Sequence, residues 1–453
     1  MTPYATHMNK ITLQLYLDEQ WHDVAELIVN APEQGHQGAA RLDYVPEYVL
    51  AHLNEPTIAG AAISCRYPVD FKSYADDHWP AFVLDLLPGG EGRRRWAEQL
   101  GIQPGLTGEF ELLKHAAANP AGNLRVKEAA TSEHRQTRTL PTDDGELVTQ
   151  DQHPGFTRND IINKQEHFIE YAYQQGAAVT GASDVQGEAP KFLLVEDDAG
   201  RWHAEGALED TQVKQHWIVK FPRGKTAADK KVLHNEASYL EVARRFGAEV
   251  GAPLQLEGNA LFIARFDRMQ RGALTERIAM ESLYAAAGVA EFGMASSHEI
   301  LCSALMEQVA TEDRLATALE YIRRDLLNVV MGNTDNHGRN SALLRDRSGR
   351  ITLSPLFDFA PMYLDPAGIA RVSRWSAERE TAGRPDWYAV VDFFEPWLDT
   401  AALSAAVTNL ELPLSTLPDS LKIEGVDDDI IARRQPAIEA NLEQLRRYRD
   451  GQS

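Results

Sequence analysis

Gly332-Asn333-Thr334-Asp335-Asn336-His337-Gly338-Arg339-Asn340 separates two regular segments of the chain. Before it, Leu315 to Met331 spaces its apolar residues as one face of a long helix. After it, Ser341-Ala342-Leu343-Leu344 reads as a strand. An aspartate followed five residues later by an asparagine has the spacing of a kinase catalytic loop. In such a loop the aspartate takes the acceptor hydroxyl proton and the asparagine holds a magnesium ion. A loop this short lets Asp335 and Asn340 point into one cleft. Asn, Asp and Gly also favour turns for local reasons, so the loop taken alone reads equally as an Asx-rich turn.

Three further segments point the same way. Pro355-Leu356-Phe357-Asp358-Phe359-Ala360 sets an acid at the end of an apolar run, where it is placed to hold a metal ion between phosphates. It stands where a kinase has Asp-Phe-Gly, with Ala360 in place of the glycine. Elsewhere such an aspartate is a turn former or a helix cap. His216-Trp217-Ile218-Val219-Lys220-Phe221 puts a lysine in an apolar strand, where it must find an anion or snorkel to water. Glu236, on the helix that follows, is an acidic partner able to orient Lys220; the plainer reading is a solvated helix residue. Gly181-Ala182-Ser183-Asp184-Val185-Gln186-Gly187-Glu188-Ala189-Pro190-Lys191 leads into a strand. Its backbone amides are suited to phosphate, but it matches neither a Walker A nor a GxGxxG spacing, and a plain loop fits it as well.

The 453 residues are 43% hydrophobic and 25% charged, enough for two or three domain-sized units. Near the N-terminus, Ile11 to Leu17 and Asp23 to Val29 alternate as strands, with Asp18-Glu19-Gln20-Trp21 as a hairpin connection. Helices are expected from Trp79 to Leu87, stopped by Pro88-Gly89-Gly90, and from Glu91 to Leu100, before Gly101. Residues 127–160 are polar and weakly periodic, as in a linker or insertion. Strands follow at Lys191–Val195, His216–Phe221 and Asn259–Phe266, with a helix from Lys230 to Phe246 closed by Gly247. Beyond Ser296 the chain reads as mainly helical, ending in a helix over Asp427–Tyr448. Strands first and helices later is the order of a two-lobed α+β catalytic unit, an order other α+β folds share.

The formal charge of −22 disfavours autonomous DNA or RNA binding and favours basic partners. Two distant cysteines, Cys65 and Cys302, form no disulfide framework. Neither a signal segment nor a membrane-length apolar run is visible, so the expected location is the cytoplasm, with no membrane contact.

Taken in order, these segments resemble the HipA family of bacterial toxin kinases over nearly the whole chain. The resemblance also rests on Phe82-Val83-Leu84-Asp85-Leu86-Leu87-Pro88-Gly89-Gly90-Glu91-Gly92-Arg93-Arg94-Arg95, on Glu109 to Leu113 and on Ala121 to Leu124. It extends through Asn235-Glu236, Ala264-Arg265-Phe266-Asp267-Arg268 and Arg277 to Leu283. It implies a bilobed kinase-like fold with a sheet-rich N-lobe, an N-terminal subdomain and a helical C-lobe. The expected divisions are 10–126, a polar insertion or linker at 127–160 that is not part of the family pattern, 161–285 and 286–450.

By residue, the resemblance implies Asp335 as catalytic base and Asn340 and Asp358 as magnesium ligands. Lys220 would contact the ATP phosphates with Glu236 orienting it. Gln186, Gly187 and Lys191 would cover the phosphates, and Glu281 and Leu283 would lie beside adenine. His337 would touch nucleotide or, more simply, buttress the loop. The family pattern has a modified serine seven residues before the lysine of the phosphate loop. Asp184 stands there in this chain; Ser183 first and Thr180 second are the candidate autophosphorylation sites, the alternative being that Asp184 already supplies a fixed negative charge and the loop is not modified. The implied function is an ATP- and magnesium-dependent serine/threonine kinase, the toxin of a toxin–antitoxin pair, acting on a cellular protein; the family precedent is an aminoacyl-tRNA synthetase. The implied partner is a small helix-turn-helix antitoxin that alone brings the complex to DNA. A small-molecule kinase and a catalytically weak regulatory partner are the alternatives; nucleotide-dependent thermal stabilisation and ATP turnover separate them.

Overall fold

A computed structural model describes residues 9–131, 139–142, 144–149, 152–175, 177–179, 190–272 and 274–449. The chain forms two compact units, each discontinuous in sequence. The first takes residues 1–223, 262–294 and 344–350; the second takes 224–261, 295–343 and 351–453.

The first unit holds an antiparallel sheet of β1 (Lys10–Leu17), β2 (Gln20–Val29), β3 (Ala40–Tyr44), β4 (Tyr74–Asp76) and β5 (Leu124–Val126), in the order β4-β3-β2-β1-β5. Period two decides its faces. Ile11, Leu13, Leu15 and Leu17 of β1 are buried, as are Ala25, Leu27 and Val29 of β2. The hairpin turn is tighter than expected: Asp18 and Glu19 both take positive φ, 48° and 66°, and Trp21 already belongs to β2. Both central residues of a type I′ turn need that conformation because it matches the strand twist.

The helix expected over Trp79–Leu87 shrinks to Ala81–Leu84. After it the N–H groups of Asp85, Leu86 and Leu87 bond to carbonyls three residues back, the tighter pattern that ends a helix. Asp85 instead turns its carboxylate to the backbone and hydroxyl of Ser282, both at 2.9 Å. The next helix, α1 (Gly90–Leu100), ends as expected on a left-handed Gly101. Residues 127–160 carry more regular structure than their composition suggested. A hairpin pairs Thr139–Pro141 with Leu147–Thr149, and Arg158–Ile162 is a helix whose Thr157 and Asp160 form a capping box.

A second sheet in this unit is built from β6 (Ala178–Val179), β7 (Lys191–Asp197), β8 (Trp202–Ala204) and β9 (Val213–Lys220). β7 pairs antiparallel with each of the others. Ala260–Ala264 is also a strand. Trp202, Trp217 and Phe262 pack as an aromatic cluster with ring centres 5.2 to 6.5 Å apart.

The second unit is mainly helical. α2 (Ala227–Phe246) starts on a capping box of Thr226 and Asp229 and ends on left-handed Gly247. α3 (His298–Gln308), α4 (Arg314–Met331), α5 (Thr400–Thr408) and α6 (Asp428–Arg449) follow. α4 is central, burying Ile322, Leu326, Leu327, Val330 and Met331, and packing against α5 and α6. Its terminal carbonyls are all engaged. Arg434 of α6 donates to Val329 and Val330, at 2.7 and 2.9 Å, and the Tyr239 hydroxyl of α2 donates to Met331 at 3.0 Å. Left-handed Gly332 then releases the chain into the Asp335 loop. Among the described residues no helix is long and apolar enough to cross a membrane.

Candidate active site

In the second unit the loop 332–340 closes on itself. The side-chain amide of Asn340 donates to the Asp335 carbonyl at 2.8 Å, and the Asn340 backbone N–H to the His337 carbonyl at 2.9 Å. With its nitrogen donating, Asn340 keeps its side-chain oxygen as the atom suited to a cation. His337 accepts the Arg339 backbone N–H on Nδ1 at 3.2 Å, and its Nε2 lies 3.4 Å from the Asp335 carboxylate. A ring accepting on Nδ1 carries its proton on Nε2, so a neutral His337 turns an N–H toward Asp335. Asp335, His337 and Asn340 thus form one group.

Asp358 reaches its place by a different route. The Leu356 N–H donates to the Glu249 carbonyl at 2.7 Å, making an isolated parallel bridge with Val250 rather than the end of a longer strand. Asp358 itself adopts a left-handed φ of 53°, a conformation that aspartate tolerates better than most residues. Phe359 packs on Tyr239 with ring centres 5.5 Å apart, and the Tyr363 N–H donates to the Gly332 carbonyl at 3.1 Å. The Asp358 segment is therefore tied to the start of the Asp335 loop. Glu236 lies on α2, three residues before Tyr239, and is only 1% exposed. The solvated-helix reading of Glu236 is overturned: an acid buried this deeply needs partners.

In the first unit, Lys191 and Lys220 face each other across β7 and β9 in direct register. Cross-strand partners point to the same face with Cβ atoms about 5 Å apart, and opposed like charges repel. The two lysines therefore leave the sheet on the same face. β6 pairs Val179 with Lys191, so the ends of the stretch between them meet on neighbouring strands. Thr180, Ser183, Gln186 and Gly187 lie within that stretch, outside the described residues. Glu281 accepts from the Ser64 hydroxyl at 2.6 Å and the Cys65 N–H at 2.9 Å. Leu283 is fully buried at the start of the helix Leu283–Ala287.

Sequence reasoning missed a buried network beside the loop. Asp325 of α4, 1% exposed, binds the Arg371 guanidinium at 2.8 and 3.0 Å and the Trp375 indole N–H at 2.8 Å. Burial pushes its carboxyl up, but Arg371, His298 and Trp375 outweigh that and hold it well below the usual carboxylate range. The available signal was an acid on the apolar stripe of a helix, four residues after Tyr321.

The donor types suit the groups implied. Asp358 and Asn340 supply hard oxygen ligands of the kind magnesium prefers, and the paired lysines suit a polyphosphate. Among the described residues no group of three or more His, Cys, Asp or Glu side chains forms a ready-made metal cage.

Comparison with known proteins matches residues 34–127 to the HipA N-terminal domain and residues 183–410 to the HipA-like C-terminal domain. Two proteins of Sinorhizobium fredii (strain NBRC 101917 / NGR234) that carry kinase names are similar. Y4dM is 24% identical over 299 residues, 62% of this chain and 61% of Y4dM. The chain thus matches less than two thirds of that relative. Y4mE is 24% identical over 335 residues, 72% of this chain and 74% of Y4mE. The HipA structure from the Shewanella oneidensis MR-1 toxin–antitoxin complex of HipA, HipB and operator DNA shares the fold. It superposes with a TM-score of 0.62 over 96% of this chain and 97% of its own, at 17% identity. Both family domains in order, half of the chain in the second alone, and the shared fold lead to one statement: the chain belongs to the HipA family.

Proposed function

We propose that this protein is an ATP- and magnesium-dependent serine/threonine protein kinase acting as the toxin of a HipA-type toxin–antitoxin pair in the cytoplasm. The observation that carries the reading is the closed loop in which Asn340 and His337 both bind the Asp335 residue, with the Asp358 segment tied to its first glycine. Family membership and the kinase names of Y4dM and Y4mE support it. Asp335 accepts the proton of the acceptor hydroxyl, and His337 keeps its carboxylate in place. Lys191 and Lys220 draw the phosphates of ATP, and Glu236 orients Lys220. Glu281 and Leu283 border the adenine. Asn340 and Asp358 would hold a magnesium ion, whose positive charge would offset that of the phosphates. Ser183 and then Thr180 are the proposed self-modified hydroxyls. A phosphate there adds roughly −1.5 to −2 charges beside Asp184 and Glu188 and competes with ATP for the lysines.

Quantitative phosphoproteomics after induction of the wild type and of Asp335→Asn tests this. The wild type should raise specific serine or threonine phosphopeptides, its own Ser183 or Thr180 peptide among them. Asp335→Asn should lose them by about a hundredfold, because base assistance is worth that much or more. Equal phosphorylation by the two proteins removes Asp335 as the base. An active preparation with both hydroxyls unmodified removes the self-modification.

The partner in this reading is a small, basic helix-turn-helix antitoxin. The operator DNA and HipB in the Shewanella complex support it. At a formal charge of −22 the isolated chain should bind duplex DNA only weakly at physiological salt. Tight, sequence-specific binding by the chain alone in a filter or gel assay contradicts that assignment.

A further inference from the structure

The residues on either side of Asp335 are both bonded to one short segment. The Thr334 carbonyl accepts the Val372 N–H at 3.3 Å. The Asn336 side chain accepts the N–H groups of Val372 and Ser373, both at 3.1 Å, and donates to the Ser373 carbonyl at 3.0 Å. A primary amide that uses both ends on one backbone fixes its own position as well as the backbone's. Asp335, between Thr334 and Asn336, is held from both sides.

The segment is fastened in turn. Arg371 sits in a carboxylate clamp, with Asp325 at 2.8 Å on one nitrogen and Glu380 at 3.0 Å on another. Trp375 bonds Asp325 through its indole and Glu380 through its backbone N–H at 3.1 Å, and its ring stacks on His298 with centres 4.9 Å apart. The Ser376 N–H goes to Glu299 at 2.9 Å, and the His298 N–H comes back to the Arg374 carbonyl at 3.0 Å. Every anchor is a side chain or backbone group of α3, α4 or the segment's own continuation, and all lie in the second unit.

In many phosphotransferases the stretch after the metal-binding aspartate is loose until a phosphate pairs with an arginine and orders it. Here Arg371 lies thirteen residues after Asp358, and the anion it pairs with is the buried carboxylate of Asp325, 2.8 Å away. We propose that residues 371–376 are a permanently closed strap that positions Asp335 through Asn336, so that the catalytic loop is aligned without any phosphate on the strap. Asn336, Asp325 and Arg371 are then positioning residues. Control of this protein would have to act elsewhere, because a carboxylate buried among its partners cannot be removed as a phosphate can. The inference rests on the assignment of Asp335 as base.

The test uses the full chain and the variants Asn336→Ala, Asp325→Asn and Asp335→Asn. Hydrogen exchange of the backbone amides reads the strap directly. In Asn336→Ala, exchange at 333–340 and 371–376 should rise about tenfold or more while that of α2 stays unchanged, as local opening predicts. Hydrolysis of magnesium-ATP should lose roughly tenfold in kcat, with KM for ATP within about twofold, the split expected of lost alignment rather than lost binding. Asp325→Asn should do the same; if it fails to fold, Asn336→Ala decides alone. A wild-type preparation shown by peptide mass spectrometry to carry no phosphate on Ser373 or Ser376 should turn over at full rate. The strap proposal is overturned by wild-type exchange at 371–376 in Asn336→Ala. It is also overturned by a rise of about tenfold in rate when a strap serine becomes phosphorylated. If Asp335→Asn is inactive and Asn336→Ala is not, the strap fails and the base stands. If Asp335→Asn turns over normally, the base assignment fails, and the exchange data still show whether the strap is closed.

Discussion

Asp358 combines two demands in one residue. Its left-handed backbone restricts what can replace it, and its carboxylate is the proposed charge on the metal. Asparagine tolerates the same φ, so Asp358→Asn isolates the charge. This variant should fold with wild-type stability yet bind magnesium-ATP at least about tenfold more weakly, since a charge-assisted contact is worth roughly 1.5–3 kcal/mol. Nucleotide binding without magnesium should barely change. Calorimetry with and without the metal reads the difference, and equal losses in both conditions would take Asp358 out of the metal site. The spacing of Asp335 and Asn340 was legible because both sit in one tight loop. The role of Asn336 was not legible, because its partners are 36 and 37 residues away.

At the scale of elements, helix ends do much of the positioning. α4 delivers the Asp335 loop, and its last carbonyls are closed by a residue from α6, far along the chain. Arg434 also lies over the Tyr363 ring, 5.3 Å from its centre, and Tyr363 bonds Gly332. A guanidinium at a helix C-terminus gains from the helix dipole as well as from its two hydrogen bonds. Arg434→Met keeps the packing volume and removes both bonds, so it should cost about 2 kcal/mol of stability. Urea denaturation at neutral pH measures it, and a midpoint indistinguishable from wild type would show that water replaces Arg434 at no cost. Gly101 and Gly247 ended their helices where the sequence placed them, since a left-handed cap is a local property. The Trp79–Leu87 expectation failed because Asp85 has a partner, Ser282, that no local pattern contains.

For the whole molecule, buried charge sets the acid limit. In the first unit Glu205 lies against Arg265, His216 and Arg268, at 3.4, 3.0 and 3.8 Å. Burial pushes its carboxyl up, but Arg265 first, with the His216 hydrogen bond and Arg268, prevails and brings it down to about 2. Asp267, between Arg265 and Arg268, is held lower still by the same guanidiniums against its own burial. A carboxyl depressed on folding stabilises the fold above its unfolded value, and that stability is lost as pH falls toward the folded one. For Glu205 the loss begins near 4.5 and continues toward about 2. Urea midpoints at about pH 7, 5 and 3 should therefore be similar for the first two and lower at the third. A flat profile would mean that the cluster does not ionise as its geometry requires. Relief of repulsion among the chain's many surface acids works in the opposite direction, but exposed charges contribute little each.

The sequence by itself determined whatever depends on neighbours along the chain. The alternating runs of β1 and β2, the period of α4, the glycine caps and the Asp335–Asn340 spacing are all short-range, and the structure keeps each of them, with β2 starting at Gln20 instead of Asp23. Only the tertiary structure decided the rest. It set Lys191 opposite Lys220, buried Glu236, and brought Arg371 to Asp325 across 46 residues. Composition carries no sign of these, because a charged side chain looks solvated in a sequence until the fold removes water from it. Once water is gone, an ionised group must find its counter-charge or hydrogen-bond partners inside the protein, and where those partners stand is fixed by packing alone.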